Sequence, residues 1–161
     1  MKVRRLPMEQ FGPILEEQIR SGAASLPVTG SSMLPMLREG RDIVLLVPVE
    51  GVPRRGDVLF YRRMNGQYVL HRLIRMEDEN TCLCCGDNQW QRELLPLSCV
   101  IARVERVRRA GKQYDLNTCK IYRLYATIWT ALFPVRRPIL GVRRLLGWLR
   151  RKIKPTRRES K

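Results

Sequence analysis

The segment Gly56-Asp57-Val58-Leu59-Phe60-Tyr61-Arg62-Arg63-Met64-Asn65-Gly66-Gln67-Tyr68-Val69-Leu70-His71-Arg72-Leu73 decides how the chain reads. Two β-type runs, Val58 to Tyr61 and Tyr68 to Met76, flank Asn65-Gly66. An Asn-Gly pair between such runs is the strongest short-range hairpin signal, because both residues tolerate the positive φ of a tight turn. Working outward, Asp42 to Val47, Thr81 to Cys85 and Val100 to Val107 are further strand candidates. Short strands separated by polar turns predict a mainly β fold built as one sheet or barrel.

On the N-terminal side, Met8, Phe11, Leu15 and Ile19 fall at helical spacing over Met8 to Arg20, and Ser21-Gly22 reads as the stop. Gly12-Pro13 is expected to kink that helix or delay its start. Val28 to Leu37, with Gly30 and Pro35, reads as a loop leading into a turn. Beyond Asp115 the character changes. Ile121 to Phe133 reads as helix, and Pro134 and Pro138 interrupt the pattern after it. The expected organisation is an N-terminal helix and lead-in over 1–27, a β domain over 28–118 and a basic amphipathic helical extension over 119–161.

A chain of 161 residues suits one domain with an appendage. Its formal charge of +16 predicts attraction to anionic surfaces, nucleic acid or acidic lipid. From Arg136 to Lys161 there are eleven Lys or Arg residues and a single acid, Glu159, whereas Glu77 to Glu93 is locally acidic. The basic excess therefore belongs mostly to the C-terminal end. Paired arginines there alternate with apolar residues, as in Arg143, Arg144, Leu145, Trp148, Leu149, Arg150 and Arg151, which predicts a segment lying in the interface of an anionic membrane. The tail has little aromatic interleaving and no finger-type Cys/His spacing, so no specific nucleic-acid partner is expected.

The five cysteines, an odd number, argue against a complete disulfide framework and read as reduced thiols in a cytoplasmic setting. Cys82 and Cys85 form a C-x-x-C, but a second such pair or a suitably spaced His is lacking, so no metal is expected. Neither a signal peptide nor an apolar run long enough to span a bilayer is visible. The expected location is the cytoplasm, peripheral on the inner membrane surface.

Three segments carry chemistry together: Thr29-Gly30-Ser31-Ser32-Met33-Leu34-Pro35, Arg55-Gly56-Asp57-Val58-Leu59 leading through the hairpin to Val69-Leu70-His71-Arg72-Leu73, and Cys85-Gly86-Asp87-Asn88. In this order they resemble the superfamily of type I signal peptidases and SOS-repressor self-cleaving peptidases. That superfamily has a G-x-S-M-x-P loop with the nucleophile, a G-D-x-V strand, a strand bearing the base and a G-D-N-type loop. The likeness covers roughly Val28 to Val107. It implies a coiled β-barrel core and a serine endopeptidase acting on a protein or leader peptide, with no cofactor.

No lysine occurs between Lys2 and Lys112, so a Ser–Lys dyad has no base in the core. The chain's one histidine, His71, stands where the family places its base, as in the Ser–His variant of the endoplasmic-reticulum type. A serine hydroxyl attacks only when a base within hydrogen-bond reach takes its proton. Imidazole, with an unperturbed pKa of about 6.5, serves as base and then acid near neutrality. The resemblance thus assigns Ser32 as nucleophile, His71 as base and Asp87 as the carboxylate orienting the ring, with Asp78 as the rival for that last role. Gly30, Ser31, Met33 and Pro35 are expected to shape the loop and the oxyanion site. The family's hydroxyl two residues before the nucleophile is replaced here by Gly30. The backbone N–H of Ser32 is the first donor expected, with Ser31 or the Gly30 N–H as second.

The 31 residues before Ser32 hold neither a membrane span nor a helix-turn-helix, so a bare catalytic core is expected. The other reading of the same pattern is a catalytically silent peptide-binding or regulatory module. Ala23-Ala24 reads as a linker of small residues, with self-cleavage there as the alternative. Oligomeric state is not legible in the sequence.

Overall fold

The apolar spacing of the N-terminal segment produces α1 (Met8–Arg20), whose Leu15 and Ile19 are buried against the sheet. The structure is a computed structural model that describes residues 8–142 and Leu145. The helix runs through Gly12-Pro13 without delay. Gly12 is required for a packing reason: a Cβ there would fall 2.1 Å from the ring of Tyr68, which lies against the helix and donates its hydroxyl to Glu16 at 2.6 Å.

Eight strands follow: β1 (Ala24–Pro27), β2 (Asp42–Val47), β3 (Val58–Arg62), β4 (Tyr68–Met76), β5 (Thr81–Cys85), β6 (Glu93–Pro96), β7 (Val100–Arg109) and β8 (Lys112–Asp115). All pairings are antiparallel, in the order β1-β2-β7-β3-β4-β5-β6. β7 pairs with β2 along one edge, and with β3 and then β8 along the other. The β3–β4 hairpin closes at Asn65-Gly66, where Gly66 has φ 84° and the Gln67 amide donates to the Asn65 side chain.

The mainly β expectation holds, but the expected barrel does not close. The sheet is open, with β1 at one end of the path and β6 at the other. Three strands lie outside the sequence reading. β1 occupies what reads as a linker, and its Ala24 is buried and paired with Leu46. β6 and β8 are each four residues long, too short for periodicity to register.

β3 is buried on both faces. Alternation turns Val58 and Phe60 toward the main core, with Leu15, Leu37, Val44, Leu46, Val104 and Val107. It turns Leu59 and Tyr61 toward a second cluster with Leu73, Cys82, Cys84 and Leu95. Two-sided burial of one central strand fixes its register, because a one-residue slip would exchange the two cores.

Beyond β8, α2 (Lys120–Ala131) and a 3-10 turn (Phe133–Val135) lead into helical backbone at 136–142. Of the residues expected to bind membrane, Arg143, Arg144, Trp148, Leu149, Arg150 and Arg151 lie outside the described residues, and Leu145 is exposed. No helix among the described residues is long and apolar enough to cross a bilayer.

The loop between β1 and β2 is stapled at its far end. Buried Asp42 accepts from the Arg38 amide at 2.9 Å and from Arg41 and Arg109, and both guanidinia also donate to the Met36 carbonyl. Burial pushes the Asp42 pKa up, but donors from Arg109, Arg41 and the Arg38 amide together outweigh it and hold the pKa at about 2. A folded-state pKa below the unfolded value of about 3.9 gives stability present above pH 4 and lost as pH falls toward 2, about 2.5 kcal/mol in all. Urea titrations of wild type and Asp42→Asn should therefore show a gap at pH 7 that narrows on acidification below pH 4; a pH-independent gap would contradict the clamp.

Candidate active site

The two-residue alternation of β4 assigns its neighbouring polar residues to opposite sides. His71 stands opposite Leu59 and shares the face of the second cluster, while Arg72 stands opposite Val58 and Cys85 on the other face. Both side chains are buried, His71 at 1% exposure and Arg72 at 0%. Their partners must come from different elements.

On the His71 face, β6 returns along β5 and places Glu93 opposite Cys84, which in turn faces Leu73. The Glu93 carboxylate lies 3.1 Å from His71 Nδ1. Tyr61 donates its hydroxyl to Glu93 at 2.9 Å and sets its oxygen 3.0 Å from the same ring nitrogen. Arg63 grips Glu93 with Nε and a terminal nitrogen. Because the Tyr61 hydrogen is spent on Glu93, the Nδ1 position faces two oxygens that accept. This network assigns the imidazole proton to Nδ1 and leaves the Nε2 lone pair free, the tautomer a general base needs. Burial acts to raise the Glu93 pKa, but hydrogen bonds from His71, Arg63 and Tyr61 together hold it well below the usual carboxylate range. Burial and the Glu93 charge push the Tyr61 phenol well above its usual range, so it stays protonated.

The Ser32 loop reaches this ring from the other side. Gly30 takes φ 73°, which a side chain would strain, and its amide donates to Glu39 at 3.1 Å. That donor is therefore engaged. Ser31 is exposed, Met33 is buried at 3%, and Pro35 follows a cis peptide bond and is exposed. The Ser32 amide donates to nothing among the described residues. Its carbonyl accepts from the Asn88 amide at 2.7 Å, tying the loop to the turn after β5. Gly86 makes that approach possible: a Cβ there would meet the Ser32 carbonyl oxygen at 2.8 Å and His71 Nε2 at 3.0 Å. Nε2 thus faces the junction between the two loops.

Ser32 and His71 line one cleft of about 480 Å³. One wall is Leu26 to Thr29, continuing edge strand β1, and the other is the β3–β4 hairpin with Phe60, Tyr68 and Leu70. The lining is mixed: Val28, Met33 and Val69 add apolar surface, and Thr29, Arg63, Gln67 and Gln89 add polar groups.

Asp87 is not on the His71 ring. Its carboxylate takes a bidentate pair from Arg72, at 2.8 Å to Nε and 2.7 Å to a terminal nitrogen, with both residues wholly buried. The physical reason is the alternation of the paired strands: Arg72 stands opposite Cys85, two residues before Asp87, whereas Glu93 stands opposite Cys84, on the face that Leu73 and His71 share. Asp78 is exposed in the β4–β5 turn and bonds the Asn80 amide. The residue missed in the sequence is Glu93. The available signal was an acid at the head of the β-type run Glu93–Pro96, returning antiparallel to Thr81–Cys85.

Arg72 also donates to the Gly56 carbonyl at 2.7 Å, touches Met36 Sδ, and stacks 5.4 Å from the Tyr125 ring centroid. Burial alone would lower its pKa, but Asp87 more than offsets this and the guanidinium stays charged. From α2, Tyr125 donates to the Asp87 carboxylate at 3.3 Å and Trp129 Nε1 to its carbonyl at 3.1 Å. Buried Arg136 donates to the Gly86 and Trp129 carbonyls and lies 5.0 Å from the ring centroids of Trp129 and Phe133. The segment read as an appendage is built into the back of the site.

Cys82 and Cys85, three residues apart on one strand, fall on opposite faces, and all five thiols are free. Burial pushes the Cys85 thiol up to about 11. No His, Cys, Asp and Glu cluster among the described residues is arranged to hold a metal. The chain matches no protein-family model, no curated protein and no solved structure.

Asp87→Asn should leave Arg72 buried with half its partner gone and cost about 3–5 kcal/mol in urea unfolding. Glu93→Gln, at a half-buried position, should cost markedly less. Equal losses would contradict the division of roles between the two faces.

Proposed function

We propose that the chain is a serine endopeptidase of the signal-peptidase-like type, with Ser32 as nucleophile, His71 as general base and Glu93 as the group that holds the ring. The observation that carries this reading is the convergence on one cleft of Ser32 and a buried histidine whose Nδ1 is fixed by a carboxylate. An extended peptide laid along the cleft beside edge strand β1 would place its scissile carbonyl at Ser32. His71 Nε2 takes the hydroxyl proton as Oγ attacks that carbonyl. Glu93 stabilises the imidazolium that forms, and Tyr61 and Arg63 keep Glu93 ionised and in place. The Ser32 amide is the first donor to the oxyanion. The Gly30 amide is committed to Glu39, which leaves the Ser31 side or the substrate-bound loop to supply a second. Collapse of the tetrahedral intermediate breaks the C–N bond as His71 returns the proton to the leaving amine. Water then repeats the cycle to release Ser32.

The test is labelling with a serine-directed phosphonylating or acylating probe, read by peptide mass spectrometry. Adduct is expected on Ser32 and absent in Ser32→Ala and His71→Ala, with the labelling rate of Glu93→Gln down by roughly 10²–10⁴. Folded protein without any adduct would turn the reading to a peptide-binding module. Gly86→Ala is expected to lose labelling as well, since its methyl would displace the Ser32 carbonyl or the His71 ring; undiminished labelling there would show that the two loops do not need their close approach.

A further inference from the structure

Most arginines among the described residues have a carboxylate or an aromatic ring against the guanidinium. Those with neither are Arg38, Arg54, Arg55, Arg103, Arg108 and Arg123. Arg54, Arg55 and Arg123 are exposed and line a single cleft of about 290 Å³, whereas the other three line no part of it. Like charges gather round one space at a cost in repulsion, which an anion between them removes.

The cleft lies between the turn that leads into β3 and the Tyr122, Arg123, Ala126 and Thr127 side of α2. The two elements pack closely there, since a Cβ on Gly56 would come 3.2 Å from the Ala126 Cβ. The turn is held from within: the Asp57 amide donates to the Arg54 carbonyl and the Gly56 amide to the Leu73 carbonyl, each at 2.9 Å. Arg54 and Arg55 therefore project from fixed backbone. Buried Val58, Val104 and Arg72 supply the inner lining. The charge of Arg72 is met by Asp87, and the one other carboxylate, Asp57, accepts from the Arg54 amide at 2.8 Å.

Three guanidinia against one carboxylate leave two positive charges in the cleft. A phosphate monoester brings about −1.5 to −2 at pH 7 and three acceptor oxygens, and its geometry suits the guanidinium fork. A carboxylate brings one charge and leaves a cation without a counterion. The volume falls at the lower end of small-molecule sites, which run from about 300 to 1,000 Å³, so the site fits a compact anion better than a nucleic-acid strand.

We propose that this cleft binds a phosphate-bearing small molecule, held by Arg54, Arg55 and Arg123. The bound anion bridges the turn before β3 to α2. These two elements also hold the Arg72–Asp87 pair, through the Gly56 carbonyl and the Tyr125 hydroxyl, so occupancy braces that pair from outside. No part of this rests on the peptidase reading.

The experiment is calorimetric titration and thermal melting of the full chain with pyrophosphate and with glycerol 3-phosphate, at constant ionic strength set by chloride. Wild type should take up one equivalent saturably, and its Tm should rise by several degrees at a hundredfold excess over Kd. Arg123→Gln and Arg54→Gln/Arg55→Gln should each weaken binding by roughly tenfold or more. Arg38→Gln/Arg108→Gln removes the same charge from exposed positions outside the cleft and should change Kd by less than about twofold. Equal losses in that control, or uptake that does not saturate, would overturn the proposal in favour of general attraction to a chain of charge +16. A glutamate-rich peptide bound more tightly than pyrophosphate, and lost in Arg123→Gln, would overturn it in favour of an acidic protein segment. Vesicles of phosphatidylcholine with phosphatidic acid separate the two sources of phosphate: binding that depends on Arg123 and exceeds that of glycerol 3-phosphate supports a lipid headgroup, and weaker binding supports the free molecule.

Discussion

The buried pair of Arg72 and Asp87 is the constraint around which the site is assembled. Two wholly buried charges are tolerated only when each finds full hydrogen-bonded compensation. Arg72 spends its donors on the Asp87 carboxylate, the Gly56 carbonyl and the Met36 sulfur. It thereby ties three separate loops to β4: the turn before β3, the loop after Ser32 and the turn after β5. With Asp87 fixed, the Asn88 amide meets the Ser32 carbonyl, and Gly86 passes close to the His71 ring. A hydrophobic pair of the same volume would fill the space without directing three loops to one point.

The pair has a counterpart on the opposite face of the same strand. His71 and Glu93 form a second polar cluster, closed by Tyr61 and Arg63, in an otherwise apolar layer. The two clusters divide the labour. The first positions backbone, while the second fixes a tautomer and keeps a carboxylate charged beside it. A single β-strand accomplishes both because adjacent residues must point to opposite faces.

α2 joins this arrangement to the surface. Its inward aromatic residues satisfy Asp87 from behind, and Arg136 caps the Gly86 carbonyl between two aromatic rings. The same helix sends its remaining apolar residues into solvent. One element thus braces the Asp87 turn on one side and leaves apolar side chains uncovered on the other.

Much of this was legible in the sequence. α1 follows from apolar periodicity and β2, β4 and β5 from runs of β-type residues, with the boundaries expected, and the β3–β4 hairpin from Asn65-Gly66, because these patterns are local. Ser32 and His71 were legible as chemistry-bearing residues, although nothing local could bring them to one cleft. The exchange of Asp87 for Glu93 as neighbour of the histidine was not legible. It depends on the register of β4, β5 and β6, and register is set by which face of each strand is buried, a property of the packed sheet. For the same reason the four-residue strands and the open end of the sheet escaped the sequence: segments that short carry no period of their own and become strands only when a longer neighbour offers them its edge. Sequence alone determined the longer elements and the candidate residue types; the tertiary structure decided the short strands and every partner, because a side chain's partner depends on distances between segments that no local pattern contains.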